Sequence, residues 1–350
     1  MGLQRRLTFI TIAVSLLVSC SEDPDTLYSK AETEASLGSK QKALNYLMEI
    51  QRSSPEYTEA YLFAAELFLE DQNLTEAVNM CRRGLDANAD SAKILRYIGE
   101  IYHLNGSQEN AYRYYLMAVE ANADYPEARI SLGLILKDKD LYEQAQAHFD
   151  KALELDPGNY DATVGKALTH IKSQENAKAI DLLQTLVENE PMQGKAHGVL
   201  AMAQEQTAVE DQQILDSYAL SVKLEPKDQL IWDAYVNFMI RERDKKEAID
   251  VLKIYLNHFP EATRARHDLA ELYIDLAQEE SLSWLDAARQ QCEQALLSNS
   301  DDHYGHALLA RIYLLQEKPR LAVLEAQLAF EINPITEYRE LVDQARFYAE

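Results

Sequence analysis

Glycine and basic residues are scarce in this sequence, and each shortage excludes a class of function. Only 11 of the 350 residues are glycine, which leaves little room for a glycine-rich loop that cradles phosphate groups. Lysine and arginine total 34 against 58 aspartate and glutamate residues, so the formal net charge is −24. Nucleic acid requires a surface rich in lysine and arginine, and the charge therefore argues against nucleic-acid binding.

Recognisable catalytic and metal-binding patterns are also missing. The sequence has no His-Glu-x-x-His pair, and no serine or cysteine lies in a known nucleophile context. His303 and His306 are close in sequence, but no cysteine or obvious third ligand lies near them. We therefore expect no enzyme activity, no metal, no cofactor and no small-molecule substrate.

Residues 126–159 predict a hairpin of two amphipathic helices. Gly133 and Ala145 are small, which lets two antiparallel helices approach closely, and Pro157 with Gly158 ends the second helix. Apolar residues recur with a helical period in both segments: Ile130, Leu132, Leu134 and Leu136, then Ala145, Phe149, Ala152 and Leu155.

The same spacing returns along most of the chain. Pro157 and Pro191 are 34 residues apart, and so are Pro226 and Pro260. A period of 34 with small, aromatic and proline residues in phase resembles the tetratricopeptide repeat (TPR) family. The resemblance implies an all-α, right-handed α-solenoid of about nine helical hairpins over residues 27–334 and a C-terminal capping helix over 335–350.

Two places depart from the period. The sixth repeat lacks the expected small residue between 205 and 216, which indicates either a bend in the array or ordinary sequence drift. The eighth repeat carries an insertion, 279–284, that ends at Trp284. This tryptophan is either a contact point for a partner or packs back on its own hairpin.

The three cysteines have different predicted roles. Cys81 and Cys292 fall at equivalent places in repeats about six units apart, so a bridge between them is geometrically implausible and we expect buried thiols. Cys20 ends a leader that has a basic start and an apolar run from Leu7 to Val18, which is too short for a permanent membrane span.

The residues that precede Cys20 resemble the lipobox of bacterial lipoproteins, which implies removal of residues 1–19 and acylation of Cys20 by fatty acids such as palmitate. An ordinary secretory signal with a chance cysteine is the alternative. Ser21, where inner-membrane lipoproteins have aspartate, implies the outer membrane, with the protein body in the periplasm. Residues 20–26 then form a short acidic tether.

In the TPR family the first helix of each hairpin lines a concave face where partners bind. The phase of the repeats predicts an apolar stripe on that face with mixed charged neighbours, among them Asp233, Asn237 and Glu271. Packing against the adjacent repeat is the competing interpretation of the stripe. The predicted partner-binding residues are Ile130, Leu134, Val164, Leu168, Ile171, Met202, Arg96, Arg264 and Arg311.

These features together predict a non-enzymatic scaffold, anchored at the periplasmic face of the outer membrane, that binds a segment of an envelope protein. A lipid anchor joined to a repeat array resembles lipoproteins that support pilus and secretion complexes. The alternative is a periplasmic regulatory adaptor of a cell-wall or polysaccharide enzyme complex. The fold alone does not choose between the two.

Overall fold

The computed structural model describes residues 22–207 and 209–350. These residues form nineteen α-helices and no strand. The predicted leader, Cys20 and Ser21 lie outside the described residues. Within the described part of the chain, no helix combines the length and the apolar composition that a membrane crossing requires.

The helices follow one another through short turns. Their bounds are α1 (Pro24–Ser36), α2 (Lys40–Ser53), α3 (Thr58–Glu70), α4 (Leu74–Asp86), α5 (Ser91–Leu104), α6 (Gln108–Ala121), α7 (Pro126–Asp138), α8 (Tyr142–Leu155), α9 (Tyr160–Lys172), α10 (Asn176–Asn189), α11 (Gly194–Gln204), α12 (Asp211–Leu224), α13 (Gln229–Glu242), α14 (Lys245–His258), α15 (Thr263–Glu279), α16 (Trp284–Ser298), α17 (His303–Leu315), α18 (Pro319–Ile332) and α19 (Thr336–Ala349).

Odd and even helices alternate as the first and second helices of nine hairpins in the described chain, and α19 follows as a single helix against α17 and α18. The predicted capping helix is therefore present. The chain divides into two compact units, one that ends at Gly165 and one that runs from Lys166 to Glu350. Helix α1 begins at Pro24, inside the segment predicted as a tether.

Small residues at a fixed position let the two helices of each hairpin approach. The alanine near the start of the second helix is fully buried at the same place in five successive hairpins: Ala43, Ala77, Ala111, Ala145 and Ala179. In the fourth hairpin the fully buried ring of Phe149 fills the space beside Gly133. Close packing of this kind makes each hairpin specific for its own pairing.

A residue in the left-handed backbone region ends the first helix of most hairpins. Gly38 and Gly106 have φ values of 75° and 72°. Gln72, Asp140 and Gln174 occupy the equivalent turns with φ values of 56°, 60° and 63°, so this conformation recurs in each of the first five repeats. It returns in the ninth repeat at Glu317, with a φ value of 58°. Only glycine adopts this conformation without steric cost, which makes the non-glycine turns strained.

The two irregular repeats are accommodated by changes at helix ends. Helix α11 has 11 residues, and Glu205 just after it accepts hydrogen bonds from Tyr218 Oη and, at 2.7 Å, from Arg241 Nη2. Helix α15 is extended to 17 residues. The indole ring of Trp284 stacks on Tyr273 at 5.6 Å, which supports the interpretation that Trp284 packs on its own hairpin.

Both described cysteines are buried free thiols, as the sequence predicts. Burial raises the pKa of Cys81 and of Cys292 to about 12, because the apolar interior disfavours the thiolate. Neither thiol is therefore an activated nucleophile.

Candidate binding groove

The predicted apolar stripe divides into buried and partly exposed residues. Ile130, Val164 and Leu168 are only 7%, 3% and 8% exposed, and Ile130 belongs to the core around Phe149. For these three side chains the packing interpretation fits. Three other predicted residues retain part of their surface, and their binding role stays a prediction: Leu134, Ile171 and Met202.

Arg96 is already engaged within the first unit. Its Nε atom donates to Tyr125 Oη at 3.2 Å, and its Nη1 lies 3.1 Å from Glu100 Oε2. Because the guanidinium is partly buried between these groups, it is held on the surface of α5. A partner would have to compete with the pair to reach Arg96.

The predicted residues Arg264 and Arg311 are both exposed in the second unit. Arg311 Nη1 lies 3.8 Å from Glu271 Oε1, and Tyr304 Oη also donates to that carboxylate. The Arg264 side chain has no hydrogen bond or ion pair with any residue that the structure describes. It is therefore an available cation on the surface of the second unit.

A cavity of about 350 Å³ lies between α13 and α15, in the second unit. The turn before α15 and Tyr255 of α14 complete its wall. We call it the α13–α15 cavity; it is lined by Gln229, Asp233, Val236, Asn237, Tyr255, Glu261, Ala262, Thr263, Arg264, Ala265 and Asp268. The structure therefore brings together Asp233, Asn237 and Arg264, three groups that the sequence placed on the inner face.

Tyr255 positions Asp233 at the cavity wall. The Tyr255 hydroxyl donates to Asp233 Oδ1 at 2.6 Å and accepts a bond from Gln229 Nε2 at 3.3 Å. The Tyr255 ring is only 2% exposed and stacks on Trp232 at 5.6 Å. Burial, then the bond to Asp233, raise the pKa of Tyr255 to about 12. A neutral hydroxyl thus fixes one carboxylate oxygen of Asp233 in place.

Asp268 is a second carboxylate in the wall, one helical turn after Arg264. Burial raises the pKa of Asp268, and the nearby Arg264 guanidinium opposes that rise. Glu271 and Asp233 act in the same direction as burial, because like charges disfavour another anion. Among the described residues no donor is hydrogen-bonded to the Asp268 side chain. His267, like Arg264, opposes the rise. Folding therefore makes the charged form of Asp268 less favourable than it is in the unfolded chain.

The charge balance of the cavity suits a cationic group. Its wall carries three carboxylates, Asp233, Glu261 and Asp268, but one guanidinium, Arg264, and the amide of Asn237. Glu261 already accepts from Ser298 Oγ at 3.0 Å. A lysine or arginine side chain of a partner would meet Asp268 and the Oδ2 atom of Asp233, whose Oδ1 atom already accepts from Tyr255. Arg264 and Asn237 could bind backbone carbonyl oxygens of the partner.

The described residues contain no group of three or more metal-ligating side chains. The two histidines singled out in the sequence point to separate partners. His303 Nδ1 lies 2.9 Å from Tyr338 Oη, and His306 Nδ1 lies 2.7 Å from Glu325 Oε2. They do not converge on one site.

Sequence reasoning missed Asp268 and Tyr255. Asp268 follows Arg264 at a spacing that puts both on one face of a helix, and this signal could have identified it. Tyr255 belongs to a second helix, and the phase of its own repeat predicts only a core position. Its contact with Asp233 depends on how two helices pack, which no local pattern contains.

Two segments of the chain match known repeat families. Family profiles described as tetratricopeptide repeat match residues 28–92 and 136–203. Tetratricopeptide repeat protein 6 of Homo sapiens is 28% identical over 195 residues, which are 53% of this chain and 36% of that protein. The chain thus spans about a third of the length of this curated relative.

One solved structure supports the fold, and a second is similar over a smaller part of the chain. The crystal structure of the APC/C hetero-tetramer Cut9-Hcn1 is similar with a TM-score of 0.53 and 17% identity, over 93% of this chain and 64% of that chain. YrrB, described as a TPR protein with an unusual peptide-binding site, gives a TM-score of 0.35 and 18% identity over 62% of this chain and 93% of its own. The all-helical architecture and the profile matches agree: the described chain is an α-solenoid, and its segments 28–92 and 136–203 match tetratricopeptide repeats.

Proposed function

We propose that this protein is a non-enzymatic scaffold that binds a segment of a partner protein along the first helices of its second unit. The observation that carries the proposal is the α13–α15 cavity, because its wall, between two first helices, carries charged side chains. The Arg264 side chain has no hydrogen bond or ion pair among the described residues, and burial raises the pKa of Asp268 despite the nearby Arg264 guanidinium. Charged groups without hydrogen-bonding partners lower the stability of the folded protein. A role in binding would explain why this chain has them.

The partner segment should carry a lysine or arginine side chain. The wall of the cavity is acidic, and the chain has a formal net charge of −24, which attracts cationic partners over distance. An extended or helical segment would fit equally, since both can present one long cationic side chain to a pocket.

The proposal extends to an outer-membrane anchor at Cys20. Its support is the lipobox-like run before Cys20 and Ser21 after it. A periplasmic array held close to the bilayer would gather an envelope partner, as in assembly or localisation of a pilus or secretion complex. Several acyl chains on one residue would make the attachment stable, because each buried methylene contributes about 0.8 kcal/mol.

The test is in-cell capture with a photo-crosslinking residue at Asn237, which lines the cavity. The parent is compared with an Asp233→Asn/Asp268→Asn variant and with a matched control, Asp301→Asn, whose side chain is exposed in the turn before α17. We expect one envelope protein to be crosslinked in the parent and the control and lost in the double variant. Equal crosslinking in all three would contradict binding at the cavity.

The identity of the crosslinked protein chooses between the two functions. A pilus or secretion component supports the assembly role, whereas a cell-wall or polysaccharide enzyme supports the regulatory adaptor. Membrane attachment is tested separately by Cys20→Ser, which should move the protein from the outer-membrane fraction to the soluble periplasm. A variant that stays in the membrane would overturn the lipid anchor and leave the groove proposal standing.

A further inference from the structure

Helix α18 exposes an apolar stripe on the side away from its own hairpin. Leu321, Leu324, Leu328 and Ile332 are 44%, 57%, 36% and 38% exposed. Their spacing of three, four and four places them on one face of the helix. We call these four residues the α18 stripe.

The stripe is exceptional among the second helices of the hairpins. In the described residues, each of the other second helices exposes at most one large hydrophobic side chain: Met117 on α6, Leu220 on α12, Ile254 on α14 and Leu297 on α16. At the matching positions helix α10 exposes polar residues, Lys178, Asp181, Thr185 and Asn189. The outer face of α18 thus departs from the polar surface that the repeats otherwise maintain.

Packing within the described chain does not account for the exposed side chains of the α18 stripe. The inner face of α18 carries three small residues, Ala322, Ala326 and Ala329, all fully buried. Ala326 and Ala329 pack with residues of α17 and α19. Phe330 is partly buried and packs inwards beside these alanines. The four residues of the stripe point outwards instead, an arrangement that suits a helix covered from outside.

Charges beside the stripe identify what covers it. Arg320 and Glu331 are exposed and have no ion pair or hydrogen-bonded side chain among the described residues. The interval between them is about three helical turns, so both charges lie along the same edge of the stripe. One is at each end of it, six and five residues from the level of Ala326.

A two-fold axis beside Ala326 makes this face complementary to itself. Two antiparallel copies of α18 would place Leu324 of one against Leu328 of the other. Along the edge, Arg320 of each copy would meet Glu331 of the second copy. A dimer with two-fold symmetry forms through one self-complementary surface, and the α18 stripe with its two charges is such a surface.

We propose that the α18 stripe is an interface at which two copies of this chain pair through antiparallel α18 helices. The stripe is about 16 Å long, so the interface is at the small end of the range for specific contacts. The dimer should accordingly form and dissociate with protein concentration.

The first measurement is sedimentation velocity of the full-length chain in a mild detergent, over a wide concentration range. We expect a reversible monomer–dimer equilibrium for the parent. Leu324→Gln/Leu328→Gln should remain a monomer at every concentration, whereas Leu297→Gln, a change at an exposed leucine on α16, should dimerise like the parent. Circular dichroism confirms that the variants keep their helix content.

The charge pair gives a second test that does not remove any apolar residue. Arg320→Glu and Glu331→Arg should each weaken the dimer by about tenfold, because two attractive pairs become repulsive. An equimolar mixture of the two variants restores both opposite-charge pairs and should dimerise again. No other occupant of the stripe predicts this recovery.

Several outcomes would overturn the proposal. A parent that stays monomeric at all concentrations excludes pairing, and a mixture that does not recover excludes the antiparallel register. A monomeric parent that binds vesicles of anionic and neutral lipids through the stripe would assign it to a membrane surface instead.

Discussion

The ring of Phe149 lies directly over Gly133, so that a methyl group added to the glycine would come within 2.9 Å of the ring atoms Cε1 and Cζ. Real side chains almost never approach so closely, and Phe149 is fully buried. The pairing of a glycine on the first helix with an aromatic ring on the second is therefore a steric requirement of this hairpin.

Gly133→Ala should lower the free energy of unfolding by about 1–3 kcal/mol, because overpacking exceeds the gain in helix propensity. Gly158→Ala is the matched control, since its added carbon would meet no atom within 4 Å. That change should be neutral or stabilise by up to about 1 kcal/mol. Urea denaturation of both variants checks this, and equal effects would contradict the role of Phe149.

The sequence predicts this hairpin because the signals for it are local. Small, aromatic and proline residues at fixed intervals define each helix and its partner, and α7, α8 and α19 lie where the pattern predicts them. Trp284 was predictable only in part. The large indole ring favours the packing on Tyr273 that the structure shows, but the sequence does not predict the length of α15.

The binding surface was less predictable, for a physical reason. The helical period identifies the face of Ile130 and Leu168, but both side chains are covered by packing that depends on neighbouring helices. Charged residues are a better guide, because a charge resists burial. Asp233 and Arg264 accordingly lie on the cavity that the structure contains.

Asp268 should make stability depend on pH. Its folded-state pKa is raised above the ordinary value by burial, so the folded state binds this proton more tightly than the unfolded chain. The resulting stabilisation is present at pH values below the unfolded-state pKa and is lost as pH rises through the folded-state pKa.

Asp268→Asn should therefore raise the melting temperature at neutral pH, and the gain should shrink as the solution is made acidic. The same variant should lose the proposed partner, so stability and binding would change in opposite directions. Thermal unfolding monitored by circular dichroism at several pH values measures the effect. A constant difference at every pH would show that the carboxyl is not perturbed by folding.

A buried pair joins the last two hairpins. His267 Nε2 lies 2.6 Å from Asp302 Oδ2, and the two residues are 9% and 7% exposed. Asp302→Ala should cost about 1–3 kcal/mol, because it leaves the imidazole nitrogen buried without this partner. Asp301→Ala, at an exposed neighbouring position, should change stability by less than about 0.5 kcal/mol. Chemical denaturation measures the free energy of unfolding of both variants. Equal losses would show that the pair of His267 and Asp302 does not stabilise the protein.

At the left-handed turns, a change to glycine and a change from glycine should have opposite effects on stability. Gln174, at φ 63°, occupies a conformation that costs a non-glycine residue about 1 kcal/mol or more. Gln174→Gly should therefore stabilise the protein, and Gly106→Ala, at φ 72°, should destabilise it by about 1 kcal/mol. Melting temperatures report both changes. Two shifts of the same sign would contradict a backbone cause.

The regular recurrence of these turns also bears on how such a chain lengthens. The same backbone conformation returns once in each of the first five repeats, at Gly38, Gln72, Gly106, Asp140 and Gln174. A duplication of one whole repeat adds a hairpin and preserves every junction of this kind, whereas the insertion in the eighth repeat was tolerated at the ends of helices. Duplication of whole repeats is thus the way in which an array of this kind can lengthen during evolution without disturbing its turns.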